Sequence, residues 1–236
     1  MRYMGGKSKI AYSLVGSMLA DGCPREVWFE PFVGGANVTV EALPWFKKAL
    51  CFDAHEDLIL MWQALAGGWV PEDVTEESYQ ALRKAAPSAQ RAFAGFGGSF
   101  GGKWFGGYGY RNSKVISGAW EEAARSLLAH SSSIFTNNVS FELASFGEVD
   151  PPEGATVYCD PPYLGTTGYS AALDADNYLA TLVRWVDELG CSVYCSERSQ
   201  PEGVKTVLVW SGAKRLILKV SDNSSFAPEV LYKVLA

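Results

Sequence analysis

A carboxylate followed by two prolines and an aromatic ring, Asp160-Pro161-Pro162-Tyr163, is the segment of this chain best suited to chemistry. It follows the apolar run 155–159, which predicts a buried strand with Asp160 at its carboxyl end, where open α/β sheets bind ligands. The prolines restrict the backbone and remove two N–H donors, which leaves neighbouring carbonyl groups in set directions. The segment could therefore receive a flat molecule that carries an NH2 group. A turn with a solvated Asp160 is the alternative interpretation.

A glycine-bearing turn, Phe29-Glu30-Pro31-Phe32-Val33-Gly34-Gly35, lies between a predicted strand and a predicted helix. Glycine lets a backbone approach a ligand closely, and the amino terminus of a helix favours negative groups. Asp53 ends the next predicted strand, where an acid can bind ribose hydroxyls in doubly wound folds. Together the two features predict a site for a nucleoside-bearing cofactor. Helix capping by Asp53 is the alternative, although Asp57 is expected to be the cap or an exposed residue.

The amino-terminal segment Gly6-Lys7-Ser8 resembles the end of a phosphate-binding P-loop. A P-loop also needs an earlier glycine and a preceding strand, and this segment leaves room for neither, so a P-loop is rejected. A Gly-Gly-Lys turn near the cofactor remains. Lys7 is expected to support the cofactor or to order the glycine-bearing turn, with a surface lysine as the alternative.

Short apolar runs that alternate with helical spacing predict an α/β fold with a parallel sheet. The elements predicted before residue 67 are a helix over 8–20 capped by Ser8, strands over 26–29 and 49–52, and helices over 37–43 and 56–66. The strands predicted after residue 130 are 133–136, 155–159, 191–195, 205–209, 215–220 and 229–234, with a helix over 174–188. The last two strands are expected to form an antiparallel hairpin.

Residues 67–130 depart from this pattern and are predicted to be an insertion, with helices over 76–85 and 120–128. Between them, residues 93–110 are so rich in glycine that no regular core element is expected. The interleaved aromatic rings and cations suit base stacking and phosphate contact, with a flexible linker as the alternative. No acid occurs between Ser78 and Trp120, whereas the cations there are Arg83, Lys84, Arg91, Lys103, Arg111 and Lys114.

The composition limits the class of protein. The chain has 236 residues, 48% of them hydrophobic and 19% charged, which suits one large domain or one domain with a sizeable insertion. The net charge of −6 argues mildly against a polyanionic partner, but phosphate binding depends on where the basic stretches lie. Neither a membrane-spanning run nor an apolar signal region is recognised, so a cytoplasmic protein is expected. The five cysteines are interpreted as buried free thiols, and no metal site is expected.

The order of these motifs resembles that of the Dam-like DNA adenine-N6 methyltransferases, in which a D-P-P-Y motif follows a target-recognition insertion. Tyr3-Met4-Gly5-Gly6-Lys7 resembles their amino-terminal motif, the turn over 29–35 their S-adenosylmethionine loop, and Asp53 their ribose-binding acid. Asp160-Pro161-Pro162-Tyr163 matches the catalytic motif, and Glu229-Val230-Leu231 the closing strand. The resemblance implies a Rossmann-like methyltransferase sheet formed by residues 1–66 and 131–236, with a mainly helical and loop target-recognition insertion at 67–130.

The resemblance also implies a role for each matching residue. The catalytic residues would be Asp160, Pro161 and Tyr163. The residues that bind the cofactor, S-adenosylmethionine, would be Tyr3, Lys7, Glu30, Pro31, Phe32, Gly34, Asp53 and Asp160. The residues that bind double-stranded DNA would be Arg2, Lys103, Tyr108, Arg111 and Lys114. No metal is implied.

The implied reaction is methylation of a flipped-out adenine in the cytoplasm of a bacterial or phage-infected cell, with a cognate restriction enzyme as a further candidate partner. The chain departs from the family pattern at Ser140, which stands where an acid is usual and puts a contact to the cofactor's adenine ring in question. An RNA or protein-amide N-methyltransferase of the same fold and a non-catalytic DNA-binding relative are the alternatives. Amide methylation tends to use Asn in place of the first motif acid, so Asp160 favours an aromatic amine.

Overall fold

The structure is a computed structural model that describes residues 3–109, 120–161, 174–215 and 226–236. Several predicted positions lie outside these ranges: Arg2, Arg111, Lys114, Pro162, Tyr163 and the strand residues 216–220. Among the described residues, no helix is both long and apolar enough to cross a membrane.

The described residues form a twisted sheet of seven strands in the order β3-β2-β1-β4-β5-β7-β6. The strands are β1 (Val27–Glu30), β2 (Lys48–Asp53), β3 (Val139–Leu143), β4 (Thr156–Cys159), β5 (Ser192–Glu197), β6 (Thr206–Arg215) and β7 (Phe226–Val234). The first five are parallel, whereas β7 runs antiparallel to both β5 and β6. The order reverses between β1 and β4, and in open α/β sheets ligands bind outside the carboxyl ends of the strands at such a reversal.

Helices cover both faces of this sheet, as the alternating pattern predicts. They are α1 (Ala11–Ala20), α2 (Asn37–Ala42), α3 (Glu56–Ala66), α4 (Glu76–Arg83), α5 (Ala89–Ala92), α6 (Trp120–Thr136) and α7 (Ala175–Asp187). The central strands β1 and β4 are apolar and buried almost throughout because they are covered on both sides. The fold class is therefore the predicted α/β class with a Rossmann-like, mostly parallel sheet.

Three predicted elements are wrong in their limits. Residues 133–136 are not a strand but the end of α6, whose buried Ala123, Leu127 and Ile134 follow helical spacing. Helix α1 begins at Ala11 without a Ser8 cap, because the Lys7 carbonyl accepts the N–H groups of the first turn. The strand predicted over 205–209 is longer than expected, since β6 runs from Thr206 to Arg215 with a register shift between Leu208 and Trp210. Of the strand predicted over 215–220, only Arg215 lies among the described residues.

The glycine-rich part of the insertion was expected to form no regular core element, and this is wrong for residues 93–97. They continue α5 as a buried π-helical turn, Phe93–Gly97. Gly95 makes this packing possible, since a Cβ atom there would lie 2.3 Å from Trp104 Cζ3. Phe93, Phe96 and Phe105 pack in the same hydrophobic cluster as α1 and α3. The glycines here bring aromatic rings onto the backbone, and these three rings face the core, where they cannot stack on bases.

Candidate active site

Acidic side chains end five neighbouring strands at the carboxyl edge of the sheet. In sheet order they are Asp53 of β2, Glu30 of β1, Asp160 directly after β4, Glu197 of β5 and Glu229 of β7. Glu229 reaches this edge from near the start of its strand because β7 is antiparallel to β5, with Val230 paired to Glu197. Such a row of carboxylates suits a ligand that carries positive charge.

The cation Lys7 contacts two acids of this row. Its ammonium Nζ lies 2.6 Å from Asp160 Oδ1 and 3.0 Å from Glu229 Oε1. The side chains of Lys7 and Glu229 are each 2% exposed, whereas that of Asp160 is 20% exposed. The surface-lysine alternative is therefore wrong, and the only member of the trio that opens to solvent is the predicted catalytic acid.

Glu30 lies beneath the edge and is completely buried. Its Oε2 atom accepts hydrogen bonds from Trp28 Nε1, at 3.0 Å, and from the Thr39 hydroxyl. Burial raises the pKa of Glu30 to about 8, with smaller contributions in the same direction from Asp160 and Asp53. Glu30 is thus mainly uncharged at neutral pH. Its contacts hold the end of β1 rather than point into solvent, so the structure gives this predicted cofactor residue an internal position.

We expect Glu30 to make the stability of the protein depend on pH. The folded-state pKa of about 8 lies above the ordinary value of 4.5, so the stabilisation from Glu30 is complete below pH 4.5 and is lost as the pH rises through 8. In Glu30→Gln the free energy of unfolding, measured by urea titration from pH 5 to 8, should fall less than in the wild type. The neighbouring exposed acid gives the control, Glu26→Gln, which should keep the wild-type slope. Parallel curves for Glu30→Gln and wild type would contradict the assignment.

The glycine-bearing turn is fixed to Asp53 by backbone hydrogen bonds. Gly34 N donates to Asp53 Oδ2 and His55 N to Asp53 Oδ1, both at 2.9 Å. Burial raises the pKa of Asp53, while these two bonds act in the opposite direction. Each carboxylate oxygen has a second lone pair, so Asp53 retains acceptors for hydroxyl groups. The bond from Gly34 holds the turn, which follows β1, against Asp53 at the end of the neighbouring strand β2.

Tyr3 packs directly on this turn. Gly34 has a φ of +44°, and a Cβ atom there would lie 2.9 Å from Tyr3 Cε1. The Tyr3 ring also contacts Phe96 of the insertion, with ring centroids 5.0 Å apart. The next residue, Met4, donates its N–H to Gly102 O at 3.0 Å. The amino-terminal segment therefore contacts the turn, the insertion and, through Lys7, the catalytic acid.

Trp62 holds the turn from below. Its Nε1 donates to Gly34 O at 2.9 Å, and its fully buried ring stacks on Phe141 with centroids 5.9 Å apart. We expect Trp62→Phe to lose about 2–3 kcal/mol of stability, from the lost hydrogen bond and the cavity. Cofactor affinity should fall with it. Chemical denaturation and calorimetric titration with the cofactor would measure both effects, and Trp45→Phe at a half-exposed position is the control. A Trp62→Phe protein as stable as the control would refute this role.

Asp57 is neither a helix cap nor exposed, so that prediction is wrong. It is buried, accepts a hydrogen bond from Ser88 N at 2.9 Å and pairs with Arg91 Nη1 at 2.6 Å. Arg91 in turn lies over the Trp104 ring, at 5.1 Å from its centroid. The Trp104 ring contacts His55, with centroids 4.4 Å apart. The ion pair between Arg91 and Asp57 therefore links the predicted insertion to α3.

Residues 3–94 match the model of the D12 class N6 adenine-specific DNA methyltransferase family. The match covers the Tyr3–Lys7 motif, the glycine-bearing turn and Asp53, which the structure brings together. Over these residues the chain is similar to this family. The D12 match confirms the resemblance to Dam-like enzymes, and together with the fold it supports methyltransferase activity.

Solved structures with a similar course of the chain include enzymes of several activities. Precorrin 8W decarboxylase from Methanobacterium thermoautotrophicum is 9% identical, with 99% of this chain and 94% of that chain covered and a TM-score of 0.47. Precorrin-6y C5,15-methyltransferase from Geobacter metallireducens is 10% identical, covers 97% and 89%, and scores 0.42. An rRNA methylase from Streptococcus thermophilus is 10% identical, covers 96% and 96%, and scores 0.40. At such identities and scores they say nothing about the reaction. No curated protein matches the chain.

The remaining D12-type positions have the following surroundings. Pro161 is buried beside Asp160, Pro31 is buried, and Phe32 stacks on Phe146 with centroids 5.3 Å apart. Lys103 is exposed on the insertion. Tyr108 is half-buried there and donates its hydroxyl to Val74 O at 2.7 Å. Ser140 Oγ is buried and has no hydrogen-bond partner among the described residues.

Sequence reasoning missed two members of the acidic row, Glu197 and Glu229, as functional positions. Burial raises the pKa of Glu197 to about 7, and the charges of Asp160 and Glu229 act in the same direction. Glu197 ends an apolar strand just as Asp53 does, so the same rule would have found it. Glu229 begins its apolar run, and only the antiparallel pairing of β7 brings it to this edge.

Proposed function

We propose that the protein transfers a methyl group from S-adenosylmethionine to the N6 amine of a flipped-out adenine in DNA. The observation that carries the proposal is Asp160, a part-exposed carboxylate at the reversal of strand order, held by a buried lysine. Asp160 would supply a negative acceptor for the target amine, and the family match over residues 3–94 supports adenine in DNA as the substrate.

The side chains fit the cofactor. The part-exposed carboxylate of Asp160 suits a sulfonium cation, and Asp53 retains lone pairs for ribose hydroxyls. Tyr3, the Gly34 turn and Trp62 give the adjoining wall a fixed shape. When bound, S-adenosylmethionine would supply an electrophilic methyl group and, as the leaving group, a neutral thioether.

The role of Asp160 is to accept hydrogen bonds from the target NH2 group together with the Pro161 carbonyl. This favours a more tetrahedral nitrogen and stabilises the positive charge that develops on it. The nitrogen then loses one proton, for which Asp160 is a nearby acceptor. Tyr163 would stack on the base. Because the amine lies inside the duplex, the nucleotide must first be flipped out, at roughly a few kcal/mol.

Double-stranded DNA is the proposed partner, contacted by Lys103 and Tyr108 on the insertion and by Arg2, Arg111 and Lys114. Support comes from the position of Lys103, which is exposed and directly follows Gly102, the residue bonded to the amino-terminal segment. Contact at the insertion would thereby lie one hydrogen bond from the segment that carries Lys7. Phosphate contacts of this kind make binding depend steeply on salt.

The test is transfer of tritium from labelled S-adenosylmethionine to DNA duplexes, with adenine-free duplexes, single-stranded DNA and RNA as parallel substrates. We expect label only in DNA that contains adenine. Methylation-sensitive sequencing should then find the methylated adenine within a fixed sequence. Label in the adenine-free duplex, label in RNA alone, or no label in any substrate would overturn the proposal.

A further inference from the structure

A fully buried lysine shares two carboxylates in this site, although one would balance its charge. Lys7 Nζ lies 2.6 Å from Asp160 and 3.0 Å from Glu229, and these are three different parts of the chain: the amino-terminal segment, the end of β4 and β7. Two carboxylates and one ammonium carry a net charge of −1. Burying such a group is costly, so its presence calls for a physical reason.

The exposed fractions of the three side chains show which of them faces solvent and can act on a bound ligand. Lys7 and Glu229 are both 2% exposed and lie 3.0 Å apart, so both of these charged groups are hidden from solvent. Asp160 is 20% exposed and forms the outer side of the trio. Because Glu229 balances the charge of Lys7, the trio keeps one net negative charge, and Asp160 is its most exposed member. If Glu229 were neutral, Lys7 would cancel the charge of Asp160 instead.

The neighbouring acids do not replace this charge. Burial raises the pKa of Glu30 to about 8 and that of Glu197 to about 7, so at neutral pH the first is mainly neutral and the second only partly charged. Asp53 lies on the far side of β1 and accepts two backbone N–H groups. Asp160 is thus the acid whose charge depends most directly on what Lys7 does.

We propose that Glu229 is a positioning residue that supplies the countercharge for Lys7 and so leaves the negative charge of Asp160 to the cationic group bound by the site. The proposal rests on the function proposed above, in which that group is the sulfonium of the cofactor before transfer and the methylated amine after it. Glu229 acts through Lys7 and touches neither ligand.

The test compares two ligands that differ by one charge, S-adenosylmethionine and its demethylated, uncharged product S-adenosylhomocysteine. Calorimetry would give the ratio of their dissociation constants, and no DNA or turnover is needed. Loss of one nearby negative charge in Glu229→Gln should reduce the preference for S-adenosylmethionine by roughly tenfold, while affinity for the product changes little.

The decisive variant is the double substitution Lys7→Gln with Glu229→Gln. It removes one positive and one negative charge, leaves Asp160 as the single charged member, and should restore the preference lost in Glu229→Gln. If Glu229 only holds β7 to the amino-terminal segment, the double variant should be as impaired as the single variant, and both ligands should be weakened equally. Either result would overturn the proposal.

Two further variants keep the result interpretable if Glu229→Gln folds poorly. Glu229→Asp keeps the charge and should keep the wild-type ligand preference even if it is less stable. The exposed pair Lys47–Glu26, with Nζ and Oε1 2.6 Å apart, offers the matched control Glu26→Gln, which should leave the preference unchanged. A lost preference in Glu229→Asp, or in the control, would contradict the countercharge role.

Failure of this inference can be told apart from failure of the proposed function. If the wild-type protein methylates adenine in DNA but Glu229→Gln leaves the ligand preference unchanged, only the inference about Glu229 is overturned. If Glu229→Gln shifts the ligand preference as expected but the wild-type protein labels no DNA, the DNA substrate is overturned and the countercharge role stands.

Discussion

Asp160→Asn is expected to reduce methyl transfer by about a thousandfold, the largest effect of any single substitution, because it removes the negative acceptor for the amine. The side chain keeps its size, and Lys7 keeps Glu229 as a partner at 3.0 Å, so the protein should still fold. Affinity for S-adenosylhomocysteine should be nearly unchanged, whereas affinity for the cationic cofactor should fall by roughly tenfold because one negative charge is lost. Single-turnover tritium transfer at saturating cofactor isolates the chemical step from binding.

The control for this substitution is Asp150→Asn. Asp150 precedes the same strand, is 53% exposed and pairs with Arg184, so its loss changes a surface charge without reaching the acidic row. Transfer by Asp150→Asn should stay within a factor of about two of wild type, since exposed ion pairs contribute little. If Asp160→Asn retained transfer comparable to this control, Asp160 would not be the acceptor and the proposed reaction would lose its central residue.

Gly34→Ala is expected to have the second largest effect, on cofactor affinity. The added Cβ meets Tyr3 Cε1 at 2.9 Å, and the Tyr3 ring also packs on Phe96, with centroids 5.0 Å apart, which limits its movement. The φ of +44° adds backbone strain for alanine. Together these should cost about 2–4 kcal/mol of stability. The turn can relieve them by moving from Asp53, so calorimetry should show both ligands weakened by about tenfold or more.

Gly154→Ala separates backbone strain from the clash. Gly154 has a φ of +69°, yet a Cβ atom there would have no atom within 4 Å. This variant should lose only about 1 kcal/mol of stability and none of its ligand affinity. Equal losses of ligand affinity in Gly34→Ala and Gly154→Ala would show that contact with Tyr3 is unimportant.

The sequence predicted the sheet and the chemistry at its edge because both depend on local patterns. Apolar runs followed by an acid or glycine predicted β1, β2 and β4, and with them the positions of Glu30, Asp53 and Asp160. The prediction of five buried free cysteines is likewise confirmed, since small apolar-flanked thiols belong to strand and core positions.

What could not be predicted depends on contacts between distant segments. Nothing near Lys7 in sequence indicates that Glu229 and Asp160 meet there, because the pairing requires the antiparallel return of β7. Asp57 was misjudged for the same reason: its partner Arg91 comes from the insertion. Glycine content was a poor guide at Gly95, where it permits close packing of Trp104 rather than flexibility.

The shared hydrophobic cluster has a consequence for attempts to change target preference by exchanging segments between relatives. Phe93, Phe96 and Leu127 of the insertion pack in one cluster with Leu58 and Trp62 of the cofactor half. Exchanging residues 67–130 as a block would therefore replace part of the hydrophobic cluster that contains Trp62, which holds the glycine-bearing turn. Most chimaeras should misfold for this reason. Selection of new specificities is better directed at exposed positions such as Lys103, which can vary while the interior is kept.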